Sequence, residues 1–138
     1  MKIDGTCHCG AISFTATVDP SRVFACHCTD CQILSSAPFR VSVAAPIASV
    51  TFVGEPTRYV KVAESGARRT QAFCSQCGTG LYASAVENPT HVNLRVGAIR
   101  QRALLKPTLQ LWKRSAPPWL DSLSSVPACL EQELFKAQ

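Results

Sequence analysis

The chain has 138 residues, 46% of them apolar, with a formal net charge of +5. That length suits a single domain with its own core, residues 1–138, and no apolar run approaches the roughly twenty residues that a membrane-spanning helix requires. The longest basic run is Arg68-Arg69, too short for the clustered cations that give polyanion binding its affinity, so neither a nucleic acid nor a membrane is expected as a partner.

In chain order, Ala11 to Val18 places Ile12, Phe14, Ala16 and Val18 on one face, the period-two pattern of a half-buried strand. Thr29 or Asp30 can cap a short helix through Leu34, stopped by Ser35-Ser36-Ala37-Pro38. Val41 to Ala44, Ile47 to Val53 and Thr57 to Val62 follow as strand candidates, divided by Pro46 and by Gly54-Glu55-Pro56. His91 to Val96 alternates most strictly, with Val92, Leu94 and Val96 predicted to face a core. Leu109 to Trp112 is a last strand, and Ala128 to Lys136 a short terminal helix. The expected fold is mainly β, built of antiparallel sheets with little helix, its core over about 3–120 and an irregular segment over 121–138.

Seven of the eight cysteines fall in three clusters, Cys7-His8-Cys9-Gly10, Cys26-His27-Cys28-Thr29-Asp30-Cys31 and Cys74-Ser75-Gln76-Cys77-Gly78. A closed structural zinc site takes four thiolates, whereas a catalytic one keeps three protein ligands and one open position. Two plus three plus two therefore permits one of each. Met1 to Thr6 runs into the first cluster without a signal-like apolar stretch, so a cytoplasmic, reducing setting and metal ligation are expected ahead of a disulfide framework. Subtracting seven thiolate charges from the formal +5 and adding two divalent ions leaves +2, which weakens the basic balance further.

In an extended segment, residues i and i+2 point the same way, so Cys7 and Cys9 can face one metal with His8 turned aside, as can Cys26 and Cys28 around His27. Gly10 permits the bend that closely spaced sulfurs demand. Cys74 to Gly78 has the spacing of a zinc knuckle, and with Cys7 and Cys9 it completes a four-thiolate set; a redox dithiol is the alternative. Cys26, Cys28 and Cys31 suit a metal with an open position, or an empty thiol cluster. Spacing alone leaves open whether Cys26 or Cys28 shares a metal with Cys7 and Cys9.

These three ordered motifs, with Ala37-Pro38-Phe39, Val92-Asn93-Leu94-Arg95-Val96-Gly97 and Ala116-Pro117-Pro118-Trp119, closely resemble the glutathione-dependent formaldehyde-activating enzyme family, which shares its domain with centromere protein V. The resemblance covers about residues 3–120. It implies a zinc-stabilised β-tent fold, Cys7, Cys9, Cys74 and Cys77 as structural zinc ligands, and Cys26, Cys28 and Cys31 as catalytic zinc ligands. It further implies a carbon-sulfur lyase whose small-molecule partner is a thiol such as glutathione, joined to formaldehyde as S-(hydroxymethyl)glutathione. Two positions depart from the family pattern: Ser36 replaces a usual glycine, and Gln110 stands where many members carry histidine.

Other residues carry blander expectations. His8, His27 and His91 are read as surface or packed histidines, and Arg40, Arg68, Arg69, Arg95 and Lys113 as solvated charges, with ligand carboxylates as their alternative partners. Trp112 and Trp119 are assigned to core or pocket wall, and Cys129 to a lone thiol. Ser35-Ser36 has no visible His-Asp partnership. The leading function is a zinc enzyme of carbon-sulfur bond chemistry on a glutathione-type adduct. Its alternative is a non-catalytic, zinc-stabilised module that binds a protein, and a zinc-ribbon nucleic-acid binder ranks third.

Overall fold

The computed structural model describes residues 1–132. It is mainly β, with ten strands among the described residues: β1 (Lys2–Thr6), β2 (Ser13–Thr17), β3 (Val23–Cys26), β4 (Arg40–Pro46), β5 (Thr51–Val53), β6 (Thr57–Val62), β7 (Arg68–Phe73), β8 (Gly80–Ala85), β9 (His91–Arg95) and β10 (Leu109–Leu111). One α-helix, α1 (Thr29–Ser35), joins β3 to β4, and short 3-10 turns fill several connections. Among the described residues, no helix is long and apolar enough to cross a membrane.

The strands form two sheets, a three-stranded one ordered β1-β2-β5 and a seven-stranded one ordered β10-β3-β4-β9-β8-β7-β6. All pairings are antiparallel except β10 with β3, where a crossover returns the chain beside an early strand. The core lies between the sheets. Ile3, Phe14 and Ala16 from the small sheet meet Val43, Leu81 and Leu94 from the large one, all at most 5% exposed. Phe14, Phe52 and Tyr82 carry the contact across, with ring centroids 5.4 and 5.3 Å apart, within the range of favourable tilted aromatic pairs.

The alternation of β2 and β9 is seen as expected: Ile12, Phe14, Ala16 and Val18 are buried, as are Val92, Leu94 and Val96. Ile47–Val53 divides instead. Ile47–Ser49 is a 3-10 turn, closed by Val50 N–H donating to the Ile47 carbonyl and Ser49 Oγ donating to the Pro46 carbonyl, and only Thr51–Val53 is strand. The chain beyond 120 is more regular than expected, since Pro118–Ser125 winds as a 3-10 helix. Of the terminal helix expected over 128–136, residues 128–132 contain no helical turn and the remainder lies outside the described residues.

Opposite the core, the large sheet turns a polar face toward α1 and the β6–β7 hairpin. Register places Ser42 beside Arg95, and Gln71, Ala83 and Asn93 in one row across β7, β8 and β9. Lys61 on the hairpin forms an ion pair with Asp30 on α1.

Candidate metal centres and the basic cavity

All eight cysteines are free thiols. Cys7, Cys9, Cys74 and Cys77 converge, their sulfurs all within 4.8 Å of one another, and Cys26, Cys28 and Cys31 form a second group by the same measure. Sequence spacing left the partition open; in the structure Cys26 and Cys28 stand with Cys31 rather than with the first pair.

The four-thiol group is made by two facing turns. Cys7 to Gly10 is a turn rather than the extended segment expected, closed by Gly10 N–H donating to the Cys7 carbonyl at 3.1 Å. Gly10, at φ +81°, takes a conformation in which a side chain would be strained. The knuckle closes likewise, with Gly78 N–H donating to the Cys74 carbonyl at 2.8 Å and Gly78 at φ +74°. Cys7 Sγ lies 3.6 Å from Cys9 Sγ, which lies 3.7 Å from Cys74 Sγ. A tetrahedral zinc with bonds of about 2.3 Å sets its sulfurs about 3.8 Å apart, so the four thiols fit such an ion.

Donors stabilise two of these thiolates, while Cys9 beside them, though the Ala11 amide draws it down, is pushed up to about 11 by the neighbouring thiols and burial. Burial pushes the Cys7 thiol up, but Ile12 N–H donating to its sulfur at 3.2 Å and the neighbouring thiols hold it below its ordinary value. Thr79 Oγ1, 3.2 Å from Cys77 Sγ, together with backbone amides, brings that thiol down to about 5. Such donors favour the anionic form that a metal needs.

The three-thiol group occupies the junction of β3 and α1. Cys26 ends the strand, Cys28 caps the helix by accepting from Cys31 N–H at 3.4 Å, and Cys31 lies in its first turn. The Cys31 thiol hydrogen-bonds Cys26 and draws it down to about 5, while the same pairing and burial push Cys31 up. One thiolate shared with a neighbouring thiol is what such a cluster holds without a metal; a dication would favour ionising all three.

This group opens into a cavity of about 330 Å³. Its walls carry Arg40, Lys61, Arg69 and Arg95, and none of its lining residues is acidic. Gln71 Oε1 accepts from Arg40 Nη1 and from Arg95 Nη2, each at 2.9 Å, and Arg95 Nη1 donates to Ser42 Oγ at 2.7 Å. Burial, then repulsion from Arg40, lowers Arg95 to about 9. No carboxylate pairs with either guanidinium among the described residues. At the rim stands Trp112, 48% exposed and at φ +56°, a strained conformation for so bulky a residue, with the Arg114 guanidinium 4.9 Å from its ring centre.

Residues 2–115 match the family described as "glutathione-dependent formaldehyde-activating enzyme". The chain belongs to the glutathione-dependent formaldehyde-activating enzyme family. It is 33% identical over 94 residues to an uncharacterized lyase of Schizosaccharomyces pombe, a match covering 67% of this chain and 66% of the yeast protein, so it spans just under two thirds of that relative's length. A crystal structure of a Rhodobacter sphaeroides protein is similar in fold, with a TM-score of 0.60 at 20% identity, covering 78% of this chain and 98% of the other.

The two departures from the family pattern acquire physical meaning in this structure. Ser36 ends α1 at φ +50°, where glycine fits without strain. Gln110 Oε1 lies 2.8 Å from Nε2 of His27, a ring only 1% exposed, and so supplies that nitrogen with an acceptor. His27 Nδ1 is left without a partner, and the ring packs against Phe39 at 5.4 Å. His8 and His91 are exposed, as is Cys129.

The arginine reading needs correction. Arg68 and Lys113 are surface residues paired with Glu87 and Asp121, but Arg40, Arg69 and Arg95 face the cavity. Lys61 and Gln71 escaped sequence reasoning altogether. Trp112 is a pocket wall, whereas Trp119 is 53% exposed and lies outside the core and outside this cavity's lining.

Proposed function

We propose that this protein is a zinc-dependent carbon-sulfur lyase acting on an adduct of a glutathione-type thiol, in the manner of its family's named reaction with formaldehyde. The observation that carries the reading is the three-thiol group in the lining of a cavity with no acid and four cations, of which only Lys61 has a carboxylate partner among the described residues. In it, Cys7, Cys9, Cys74 and Cys77 hold a structural zinc, and Cys26, Cys28 and Cys31 hold a second with one position open. When bound, the second ion would hold the substrate sulfur as a thiolate, its three anionic ligands leaving it a weaker Lewis acid than one held by neutral histidines.

The chain's own residues bind and orient. Glutathione carries two carboxylates, and Arg40 and Arg95, already splayed around Gln71, offer donors for a planar anion. Arg69 adds a further charge to the lining, unpaired among the described residues, and Lys61 one that Asp30 already partners. In the forward direction the thiol sulfur bonds to the carbonyl carbon, the C=O π pair passes to oxygen, and that oxygen takes the proton the thiol lost. The reverse cleaves the same C–S bond, which is lyase chemistry, and neither direction needs an oxidant. Eight free thiols suit a cytoplasmic setting.

The test titrates wild type and Cys28→Ser with glutathione, following zinc content and cobalt-substituted spectra, and measures adduct formation against the uncatalysed rate. Wild type should carry two zinc ions, respond to glutathione at one and turn over the adduct. Cys28→Ser should keep one zinc and its fold but lose the response and the turnover. Identical behaviour of the two proteins would favour the non-catalytic binding module.

A further inference from the structure

A second concave space adjoins the basic cavity on the side away from the three thiols, none of which lines it. This second cavity, of about 350 Å³, shares Leu34, Arg40, Gln71 and Arg95 with the basic one, so the guanidinium pair forms a wall common to both. Beyond that wall the lining changes character. It is made by Tyr59, Ala72, Phe73 and Tyr82, with Gly78 and Gly80 beneath and no further charged group.

A glutathione molecule cannot fill both spaces favourably. Its carboxylates, ammonium and amides match the cationic chamber, but in the aromatic one its amides would lose water without gaining partners. A formaldehyde adduct adds a single carbon at sulfur, which leaves that chamber unused. At about 350 Å³ the chamber reaches the size of ordinary small-molecule sites, which are mostly apolar with a few placed polar groups.

Building on the glutathione reading above, we infer that the preferred substrate is the thiol adduct of an aldehyde bearing an apolar, ring-sized group, with the thiol in the cationic chamber and that group among Tyr59, Phe73 and Tyr82. The bond changes are those of the smaller reaction: sulfur bonds to the carbonyl carbon, the π pair goes to oxygen, and the thiol proton ends there. The oxygen then falls near the shared wall, where Arg40 and Arg95 supply donors.

Binding tests this without turnover. Calorimetric titration of zinc-loaded wild type with S-methylglutathione and S-benzylglutathione should give at least tenfold tighter binding of the benzyl conjugate. Gly80→Leu should cut that ratio to near one, because a Cβ at position 80 has only Arg95 Cγ nearby, at 3.9 Å, so the added side chain starts without a clash on the lining of this chamber. Tyr59→Ala, at a site on β6 that lines this chamber and not the cationic one, removes a ring from it and should lower the ratio likewise if the first variant folds poorly. Equal affinities in wild type overturn the inference and leave the glutathione reading standing. Binding of neither conjugate overturns both. A tenfold ratio that survives both substitutions places the benzyl group elsewhere and also overturns the inference.

Discussion

Cys74→Ser should remove one zinc and lower the melting temperature by roughly 12–16 °C. Cys74 is 1% exposed, and its sulfur meets Cys9 Sγ at 3.7 Å across 65 positions of sequence. A metal joining the two turns closes that loop, and the chain-entropy relation for a covalent cross-link of this length gives about 4 kcal/mol. The zinc in a small finger supplies far more because nothing else folds it; here the two sheets share a core, so the loop term is the appropriate scale. For a chain of this size 1 kcal/mol moves the midpoint about 3–4 °C. The assay is zinc content by mass spectrometry with calorimetric melting, using Cys129→Ser as the control that changes neither. Wild type stripped of both metals by a chelator should melt at or below the temperature of the Cys74→Ser variant. A variant that keeps its full zinc and melts within about 2 °C of wild type would refute the four-thiolate site.

Leu94→Ala, at a side chain with no exposed surface, should cost about 2–5 kcal/mol in urea titration, while exposed His91→Ala costs under about 0.5 kcal/mol. Arg95→Ala, on the opposite face of β9, is not a neutral comparator, because Arg95 donates to Ser42 and Gln71. Ser36→Gly should stabilise by up to about 1 kcal/mol, relief of left-handed strain exceeding the added freedom of the unfolded chain. In metal-free protein Cys26 sits near 5, drawn down by Cys31; a depressed acid stabilises above the free-thiol range and loses that contribution as pH falls through about 5. The metal-free melting temperature should therefore fall as pH drops from about 9 to about 5, and fall less in Cys26→Ser. Gln110→Leu should cost about 1–3 kcal/mol by leaving buried His27 without its acceptor, and an unchanged urea midpoint would show that water replaces it.

The legible parts were those whose chemistry is local. Cysteine spacing, the strict alternation of His91 to Val96, and the short helix begun at Thr29 each depend on neighbours within a few positions, although the cap itself is Cys28 rather than the expected Thr29 or Asp30. Strand β8 hid because Leu81, Tyr82, Ala83 and Ser84 are all buried, which leaves no alternation to detect. Strand β7 hid because only Thr70 and Ala72 face inward, both small, between residues that look solvated. Arg95 was misread for a different reason. Its position on the polar face of β9 was correctly inferred from alternation, but Ser42 and Gln71, which surround it, arrive from strands 53 and 24 positions away. Alternation reports which face a residue takes; it carries nothing about whether another element covers that face.

His27 shows how the late chain bears on the early thiols. In an extended segment it would simply turn away from the metal side, and a surface position would suffice. Instead the ring is buried, and its one hydrogen bond goes to Gln110, which lies beside Ala25 in the parallel pairing of β10 with β3. His27 N–H also donates to the Leu111 carbonyl, and Gln32 Nε2 on α1 donates to both the His27 and Ser115 carbonyls. The turn that carries Cys26 and Cys28 is thus fixed from both sides by residues more than eighty positions downstream. A histidine at 110 could also accept from His27 Nε2, so the glutamine preserves the bond while changing the shape beside it. Gln110→His should accordingly keep His27 anchored and the three-thiol metal in place, while Gln110→Leu should loosen that metal as well as the fold.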